Sequence, residues 1–426
     1  MFAGQPLVMI SQTGPMLVFD RILVNLCRKL EVDFLAFRLC VGLWTCCFLL
    51  ILVFTKASKL VKYITNFTEE SFSSLISLIF IVDGIKKVLT TIPSADSEDY
   101  EGLTIGYFGV ILSVLTIALC FFFRSIRTAS CFTTGIRKNI ANFGVVLSIL
   151  ICVAVDYFVG LNTPKLNVPT KFVTSSNRNW LVNPIPYIFG VGENNQAPTY
   201  LLFSVIPALF CTVLMFLDQQ ITAVIINRQE NLFKKPYGYH LDLFVISLLL
   251  IICIFLGLPL YVAATVRSIA HVKALQIFDD KNATPGQTPR LLGCIETRLT
   301  GTVVFILIGL SIFAGKYLQL IPLNVLYGVF IYMGIMACMD LQVLQRLKLL
   351  ITPVKHQPDY DYLRKVRLPV IHSYTIIQVF CIIGLYAVKS NKAISILFPV
   401  MIIFIVFVRR VMGYLFSKDE LEALDH

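Results

Sequence analysis

An acidic side chain inside an apolar stretch is the first feature of this sequence that could do chemistry. Asp218 ends the apolar run 209–217 and is followed by polar residues that include Thr222. A carboxylate at membrane depth is costly, which makes it a candidate for function. Asp218 could bind Na⁺ together with hydroxyl oxygens, such as that of Thr222, and with carbonyl oxygens. Alternatively it could pair with Arg267, or it could be a structural carboxylate held by neighbouring N–H groups.

Two interrupted apolar stretches are the second feature. Thr13, Gly14 and Pro15 precede one apolar run, and Gly257 and Pro259 precede another short helical run. Proline suits the first turn of a helix because its missing N–H would be unpaired there anyway. Each stretch therefore predicts a helix that begins inside the membrane after extended backbone, with a simple kink as the alternative.

Two helices that begin at membrane depth predict an anion site. Their N-termini would offer free N–H groups and partial positive charge, and paired interrupted helices are typical of transporter sites near the bilayer midplane. Arg267 could hold the anion directly, or its side chain could extend to the cytosolic surface. Lys86 and Lys87, near an outer helix end, could attract anions by their charge, or could be ordinary solvated residues.

No sequence motif indicates metal binding, enzyme catalysis or nucleotide binding. The five histidines have no paired spacing, no CxxC pair occurs, and neither a catalytic triad nor a phosphate-binding loop is present. The sequence therefore predicts no metal site, no cofactor, no enzyme and no ATP-driven pump.

Composition indicates the elements that must position these residues. Hydrophobic residues make up 57% of the 426 and charged residues only 14%, against about 25% charged in soluble domains. A chain this apolar is expected to lie largely in lipid. The formal net charge of +11 is better explained by basic cytosolic loops than by a nucleic-acid partner, which is not predicted.

Apolar runs of about 20 residues predict membrane-spanning helices. With two short, broken segments at 7–26 and 262–275, about twelve membrane elements are expected. Basic loops fall on alternate connections, which predicts a cytosolic C-terminus. Apolar residues at helical spacing in 341–367 predict a helix on the inner membrane surface, with a solvated linker as the alternative. The clear candidate spans are 39–54, 72–92, 106–123, 143–161, 200–226, 241–258, 301–314, 321–339, 371–388 and 394–411.

Several long motifs resemble one family, the solute carrier family 4 bicarbonate transporters, which include anion exchangers and sodium–bicarbonate cotransporters. The resemblance runs from Phe2 to Asp425. The motifs that carry it are Gly4-Gln5-Pro6-Leu7, Thr13-Gly14-Pro15, Phe67-Thr68-Glu69-Glu70, Asp218-Gln219-Gln220-Ile221-Thr222, Tyr239-His240-Leu241-Asp242-Leu243, Ile321-Pro322, Leu326-Tyr327-Gly328-Val329-Phe330 and Lys355-His356-Gln357-Pro358-Asp359.

The resemblance implies an all-α polytopic fold of seven plus seven inverted repeats, with a core domain, a gate domain and two half-helices that meet at the substrate site. It also implies a homodimer in the plasma membrane. The implied substrate-binding residues are Thr13, Gly14, Pro15, Ala264, Thr265, Val266 and Arg267. The implied division is core 1–62 and 199–316, gate 63–161, 317–340 and 371–414, extracellular loop 162–198, cytosolic surface-helix segment 341–370 and cytosolic tail 415–426.

The type of coupling is mixed in these motifs. Asp218-Gln219-Gln220 resembles the sodium-coupled branch, whereas Thr265-Val266-Arg267-Ser268 resembles the chloride-exchanger branch. We therefore expect a secondary transporter of bicarbonate or carbonate for pH regulation, and favour Na⁺ coupling. A sodium-independent chloride/bicarbonate exchanger is the first alternative. A truncated, non-transporting subunit is the second, because the family's cytosolic domain and first two spans have no counterpart in this sequence.

Overall fold

The structure is a computed structural model in which the chain is mostly helical. It forms two compact units, one of Met1–Ser71, Thr174–Phe305 and Pro358–His426, the other of Phe72–Val173 and Ile306–Gln357. The residues that it describes are 4–57, 59, 65–93, 100–129, 133–168, 179–182, 201–228, 231–235, 238–278, 291–339, 341–358, 360–391 and 398–425.

Helices dominate the described part of the chain, with four short strands among them. The strands are β1 Ile10–Ser11, β2 Val262–Ala263, β3 Gln276–Phe278 and β4 Leu291–Cys294. In chain order the helices are α1 Gly14–Leu30, α2 Phe34–Phe54, α3 Asn66–Leu89, α4 Tyr100–Ser125, α5 Thr134–Asn142, α6 Gly144–Val159, α7 Val205–Ile226, α8 Tyr239–Phe255, α9 Thr265–Leu275, α10 Leu299–Leu310, α11 Gly315–Leu318, α12 Leu323–Met339, α13 Gln342–Ile351, α14 Asp361–Lys365, α15 Leu368–Ser390, α16 Phe398–Met412 and α17 Lys418–Leu424.

The first unit is built on α2, which packs against both α7 and α8. Asp33 begins α2, since its carboxylate accepts a hydrogen bond from the Leu35 amide at 3.2 Å. Gly42 allows α8 to come close, because a Cβ there would lie 2.3 Å from a methyl carbon of Ile254. The helix that carries Asp218, α7, packs against α2, and α2 is in turn closely packed against α8.

Two short strands pair in the first unit just before two helices begin. β1 and β2 are antiparallel, with Ile10 opposite Ala263 and Ser11 opposite Val262. The chain then enters α1 at Gly14 and α9 at Thr265. This confirms the two predicted half-helix starts, and it shows what the sequence did not, namely that the extended backbone before each start pairs with the other.

The N-terminal segment is fixed by the first turn of α8. Asp242 Oδ1 accepts hydrogen bonds from the amides of Gly4, at 2.6 Å, and Gln5, at 3.2 Å. Gly4 and Gly238 face each other so closely that a Cβ on Gly4 would lie 2.5 Å from the Gly238 carbonyl oxygen. Two of the motifs that carry the family resemblance are therefore in direct contact.

The second unit contains a closely packed set of three helices, α4, α6 and α12. Hydroxyl groups here turn back to their own helices or to a neighbour, as when Ser113 Oγ donates to the carbonyls of Gly109 and Asn324. A Cβ on Gly328 would lie 2.7 Å from the Ser113 carbonyl oxygen. Small residues thus allow close helix approach, as is common in membrane helix packing.

The expected count of about twelve membrane elements is not confirmed. Five described helices are long and apolar enough to cross a membrane, or up to seven when two bent pairs, α5 with α6 and α12 with α13, count as one span each. The predicted span 72–92 forms most of α3 but falls outside this set, and residues 394–397 of the predicted span 394–411 lie outside the described residues.

The surface-helix prediction places a helix where α13 forms. Its buried side chains are Val343, Arg346 and Leu349, while Leu350 and Ile351 are exposed. The position of this helix on the membrane surface stays a prediction, as does the division into core and gate domains. The compact units group Pro358–His426, which includes the predicted gate spans 371–414, with the N-terminal residues.

Candidate functional site

One face of α7 contacts the starts of both half-helices. Asp218 and Thr222 are four residues apart and so lie on the same side of the helix. Both are buried, with 2% and 0% of their surface exposed. Asp218 reaches the start of α1, and Thr222 reaches the start of α9. The structure therefore brings the two predicted cation-binding residues to the place where β1 (Ile10–Ser11) pairs with β2 (Val262–Ala263) and the helices α1 and α9 begin. We call this place the crossing.

At the start of α1, Thr13 donates its hydroxyl proton to the carboxylate of Asp218, with Oγ1 2.9 Å from Oδ2. Thr13 does not cap its own helix with its side chain. The second carboxylate oxygen, Oδ1, is buried and has no hydrogen-bond partner among the described residues. A buried carboxylate oxygen with no partner is a costly arrangement, so it is available for a cation or a proton.

At the start of α9, the polar contacts are neutral. The hydroxyl oxygens of Thr222 and Thr265 are 2.8 Å apart, and Thr222 Oγ1 lies 3.5 Å from the Ala263 carbonyl oxygen. The Ala263 amide donates to Gln219 Oε1 at 3.3 Å. Hydroxyls, a carboxylate and a backbone carbonyl are the kinds of oxygen that hard cations prefer.

Neither helix start has a side-chain cap. Thr13 and Ala264 both have extended backbone and make no capping bond. The first amides of an α-helix lack partners within the helix, and the macrodipole adds roughly half a positive charge at this end. Gly14, Pro15, Ala264, Thr265 and Val266, all predicted substrate-binding residues, thus form the two positive ends beside the crossing.

Arg267 does not pair with Asp218. It is exposed, and it has no hydrogen bond or ion pair within the part of the chain that the structure describes. The reason is its place on α9, whose buried residues are Thr265, Ser268 and Val272. A step of one residue turns a helix by about 100°, which directs Arg267 away from this face. The predicted alternative of an Asp218–Arg267 pair is therefore wrong in this conformation.

Lys86 and Lys87 lie in the last turn of α3, in the second unit, and both are exposed. The ammonium group of Lys87 is 5.3 Å from the ring centroid of Tyr327, a cation–π distance. The residues of the crossing belong to the first unit, and the role of these two lysines in attracting anions stays a prediction.

Several polar residues near the crossing were not assigned to the site from sequence. Ser268 Oγ accepts a hydrogen bond from the Met9 amide at 2.9 Å, which ties α9 to the residue before β1. Gln220 is fully buried, and neither atom of its amide has a partner among the described residues. Two signals in the sequence could have found them: both are polar residues in apolar surroundings, and both lie in motifs that resemble the family. No group of three or more metal-ligating side chains occurs in the described residues.

Comparison with known proteins identifies relatives over the full chain. The family described as the HCO3⁻ transporter integral membrane domain matches residues 1–105 and 104–426. The electrogenic sodium bicarbonate cotransporter 1 of Sus scrofa is 43% identical over 497 aligned positions, which cover 100% of this chain and 45% of the relative. The sodium bicarbonate cotransporter 3 of Homo sapiens is 40% identical, with 100% and 40% covered. The chain thus spans less than half the length of these curated relatives.

A solved structure shares the fold at much lower identity. The murine solute carrier 26 family member A9 anion transporter, in its inward-facing state, superposes with a TM-score of 0.56 and 11% identity. The likeness covers 97% of this chain and 61% of that one. At this identity it supports the fold alone, and it agrees with the expected all-α inverted-repeat architecture with two half-helices.

Proposed function

This chain belongs to the bicarbonate transporter family, and we propose that it is a secondary transporter of bicarbonate or carbonate, coupled to Na⁺, that serves pH regulation. It would act in a lipid bilayer on small inorganic anions. A homodimer in the plasma membrane with a cytosolic C-terminus is part of the same proposal. The relatives named above are transporters, so an enzyme activity is not proposed.

The observation that carries the proposal is the Asp218 carboxylate at the crossing. One of its oxygens accepts a hydrogen bond from the Thr13 hydroxyl, and the other is buried with no hydrogen-bond partner among the described residues. A cation bound there would satisfy this oxygen and offset the cost of burying the charge. The hydroxyl of Thr222, one turn further along α7, supplies a second oxygen on the same face.

The anion part of the proposal depends on the two uncapped helix starts. A carbonate or bicarbonate ion between them would accept hydrogen bonds from free amides and gain from both macrodipoles. A cation at Asp218 would then lie close to the anion, since Thr13 belongs to the start of α1 and contacts Asp218 directly. Each ion would stabilise the other, which is the physical basis for coupled transport.

Arg267 favours a second candidate, a sodium-independent chloride/bicarbonate exchanger. It is a fixed cation two residues into α9, and it is not engaged by a described carboxylate. An unengaged cation near the anion could replace Na⁺ as the counter-charge. In that case Asp218 would carry a proton or serve structure alone.

The test is recovery of intracellular pH from an acid load in cells that express this chain. Recovery that requires both bicarbonate and external Na⁺ supports the first candidate. Recovery that requires internal Cl⁻ but not Na⁺ supports the exchanger. No recovery from a chain that reaches the cell surface contradicts both, and it would favour the non-transporting subunit.

A matched pair of variants locates the cation. Asp218→Asn should remove the Na⁺ dependence. Asp156→Asn changes a carboxylate of the second unit that is just as buried, at 2% exposure, and that likewise accepts a hydrogen bond from a threonine hydroxyl, that of Thr163 at 2.8 Å. Unlike Asp218, it also has a cation beside it, the Lys165 ammonium at 3.9 Å. We expect this control to keep its Na⁺ dependence once flux is divided by surface amount.

A further inference from the structure

A buried ion pair lies in the first unit, outside the residues assigned to ion binding. It joins Asp20, in α1, to Arg38, near the start of α2, with Asp20 Oδ1 3.6 Å from Arg38 Nε. Only 14% and 9% of the two side chains are exposed. A buried pair of charges gives little net stability, because both groups lose their hydration. Arg38 lies in α2, which is long and apolar enough to cross a membrane, and a pair of charges in such a segment points to function.

Asp20 reaches back to the segment that leads into its own helix. Its Oδ2 accepts a hydrogen bond from Gln12 Nε2 at 3.2 Å. Gln12 follows β1 and immediately precedes Thr13, the residue that contacts Asp218. Movement of Asp20 would therefore be passed to the start of α1 through one intervening residue.

Arg38 reaches the segment that leads into the other half-helix. Its Nη2 donates to the carbonyl oxygen of Leu258 at 2.8 Å, and Leu258 lies between α8 and β2. The Phe34 ring centroid is 5.6 Å from the guanidinium carbon, which helps to fix its orientation. Asp20 and Arg38 together thus hold the backbone on both sides of the crossing.

Extended backbone at membrane depth needs partners from the protein, since lipid offers none. The crossing itself has two residue pairs in β1 and β2, the bond from the Ala264 amide to the Met9 carbonyl at 2.8 Å, and the Ser268 contact. This short ladder does not include Gln12 or Leu258. The Leu258 amide donates to the Cys253 carbonyl at 2.8 Å, but the Leu258 carbonyl oxygen and the Gln12 side chain are held by Arg38 and Asp20.

We infer that Asp20 and Arg38 are a positioning pair that sets the two half-helix starts relative to each other. No hydrogen bond or ion pair joins either residue to Thr13, Asp218, Thr222 or Thr265, all of which lie in the described part of the chain. The pair acts through Gln12 and Leu258. The inference rests on the proposed function in that the starts are taken as the transport site. It predicts that a change at Asp20, on α1, alters the backbone of residues 256–264, which precede α9.

The decisive variant is Asp20→Asn in the full chain, with Arg21→Gln as the matched control. Arg21 is the next residue and is exposed, so its change also removes one charge from α1. In the acid-recovery assay, Asp20→Asn should raise the apparent KM for bicarbonate about fivefold or more, because a small misplacement of a binding group is costly. The maximal rate per surface molecule should stay within about twofold, and Arg21→Gln should change neither.

Hydrogen–deuterium exchange of the purified full chain in lipid nanodiscs gives a readout without transport. Asp20→Asn should accelerate amide exchange in both 7–17 and 256–266, whereas Arg21→Gln should leave both segments at the parental rate. If the parent shows no flux, the proposed function fails, yet the exchange result still decides whether the pair positions the crossing.

Gln12→Ala is the second variant, in case Asp20→Asn does not fold. It removes the bond to Asp20 and leaves the ion pair intact, so a smaller KM increase of about twofold to threefold is expected, with faster exchange in 7–17. The inference is overturned if Asp20→Asn leaves exchange in 256–266 unchanged, or if it lowers only the surface amount and the maximal rate. When Asp20→Asn does not fold, parental KM and exchange in Gln12→Ala overturn it.

Discussion

The starts of α1 and α9 have the same backbone design but different side chains. Each follows a two-residue strand, and each is preceded by an extended residue without a side-chain cap, Thr13 at φ −94° and Ala264 at φ −96°. The α1 start is tied to a buried carboxylate, whereas the α9 start is tied to a hydroxyl and carries Arg267 two residues later. The backbone thus supplies positive potential at both starts, and in the proposed function the side chains decide which ion each start binds.

The difference has an energetic side. A hydrogen bond to a charged group contributes about 1.5–3 kcal/mol, against about 0.5–1.5 kcal/mol for a neutral one. The Thr13–Asp218 contact belongs to the first class and the Thr222–Thr265 contact to the second. Changes at the α1 start should therefore have larger effects than equivalent changes at the α9 start, and four predictions test this order.

The largest effect is expected from Asp218→Asn. The change removes the only charge that α7 places at the α1 start, and should reduce Na⁺-dependent flux by about tenfold or more. Flux is measured with external Na⁺ titrated at fixed bicarbonate, and normalised to surface protein. Full Na⁺ dependence in this variant would contradict the assignment of the cation to Asp218.

The second-largest effect is expected from Thr13→Val, because this change leaves both oxygens of Asp218 without a hydrogen-bond partner in the described part of the chain. The apparent KM for Na⁺ should rise by about fivefold to tenfold, as expected for the loss of a charge-assisted bond. Thr13→Ser keeps the hydroxyl and serves as the control, with a KM close to the parental one. Equal KM values in the valine and serine variants would show that the hydroxyl is unimportant.

Arg267→Leu should weaken the binding of the anion rather than the binding of the cation. An exposed charge at short range contributes about 1 kcal/mol, so the apparent KM for bicarbonate should rise by about threefold to fivefold while that for Na⁺ stays within about twofold. The assay titrates each ion with the other held constant. Loss of all transport in this variant would instead favour the chloride exchanger.

The smallest effect is expected from the neutral contact at α9, measured as a double-mutant cycle. Thr222→Val and Thr265→Val should each cost about 1 kcal/mol or less in apparent bicarbonate affinity. The cycle is measured at saturating Na⁺, because Thr222 also supplies an oxygen to the proposed cation site. The double variant should lose little more than either single one, because both remove the same bond. Additive losses would mean that the two hydroxyls act independently, and that the α9 start is not held by their contact.

It was predictable that the chain is a membrane protein and that two half-helices begin where they do, because composition and neighbouring residues carry these signals. The apolar composition required lipid, Pro15 next to Gly14 predicted the start of α1, and the carboxylate in the apolar stretch singled out Asp218. The number of spans was less predictable. Charged residues such as Asp83, Lys86 and Lys87 keep α3 outside the helices that are apolar enough to cross a membrane.

The sequence by itself therefore determined that this protein lies largely in lipid, where two helices begin and that one acidic residue stands among apolar ones. Only the tertiary structure decided that Thr13 meets Asp218 across 205 residues, that β1 pairs with β2, that Arg267 faces away from Asp218 and that Arg38 reaches Leu258. The physical reason is that helix starts depend on neighbouring residues and their periodicity, whereas contacts between distant segments depend on packing and leave no local pattern in the chain.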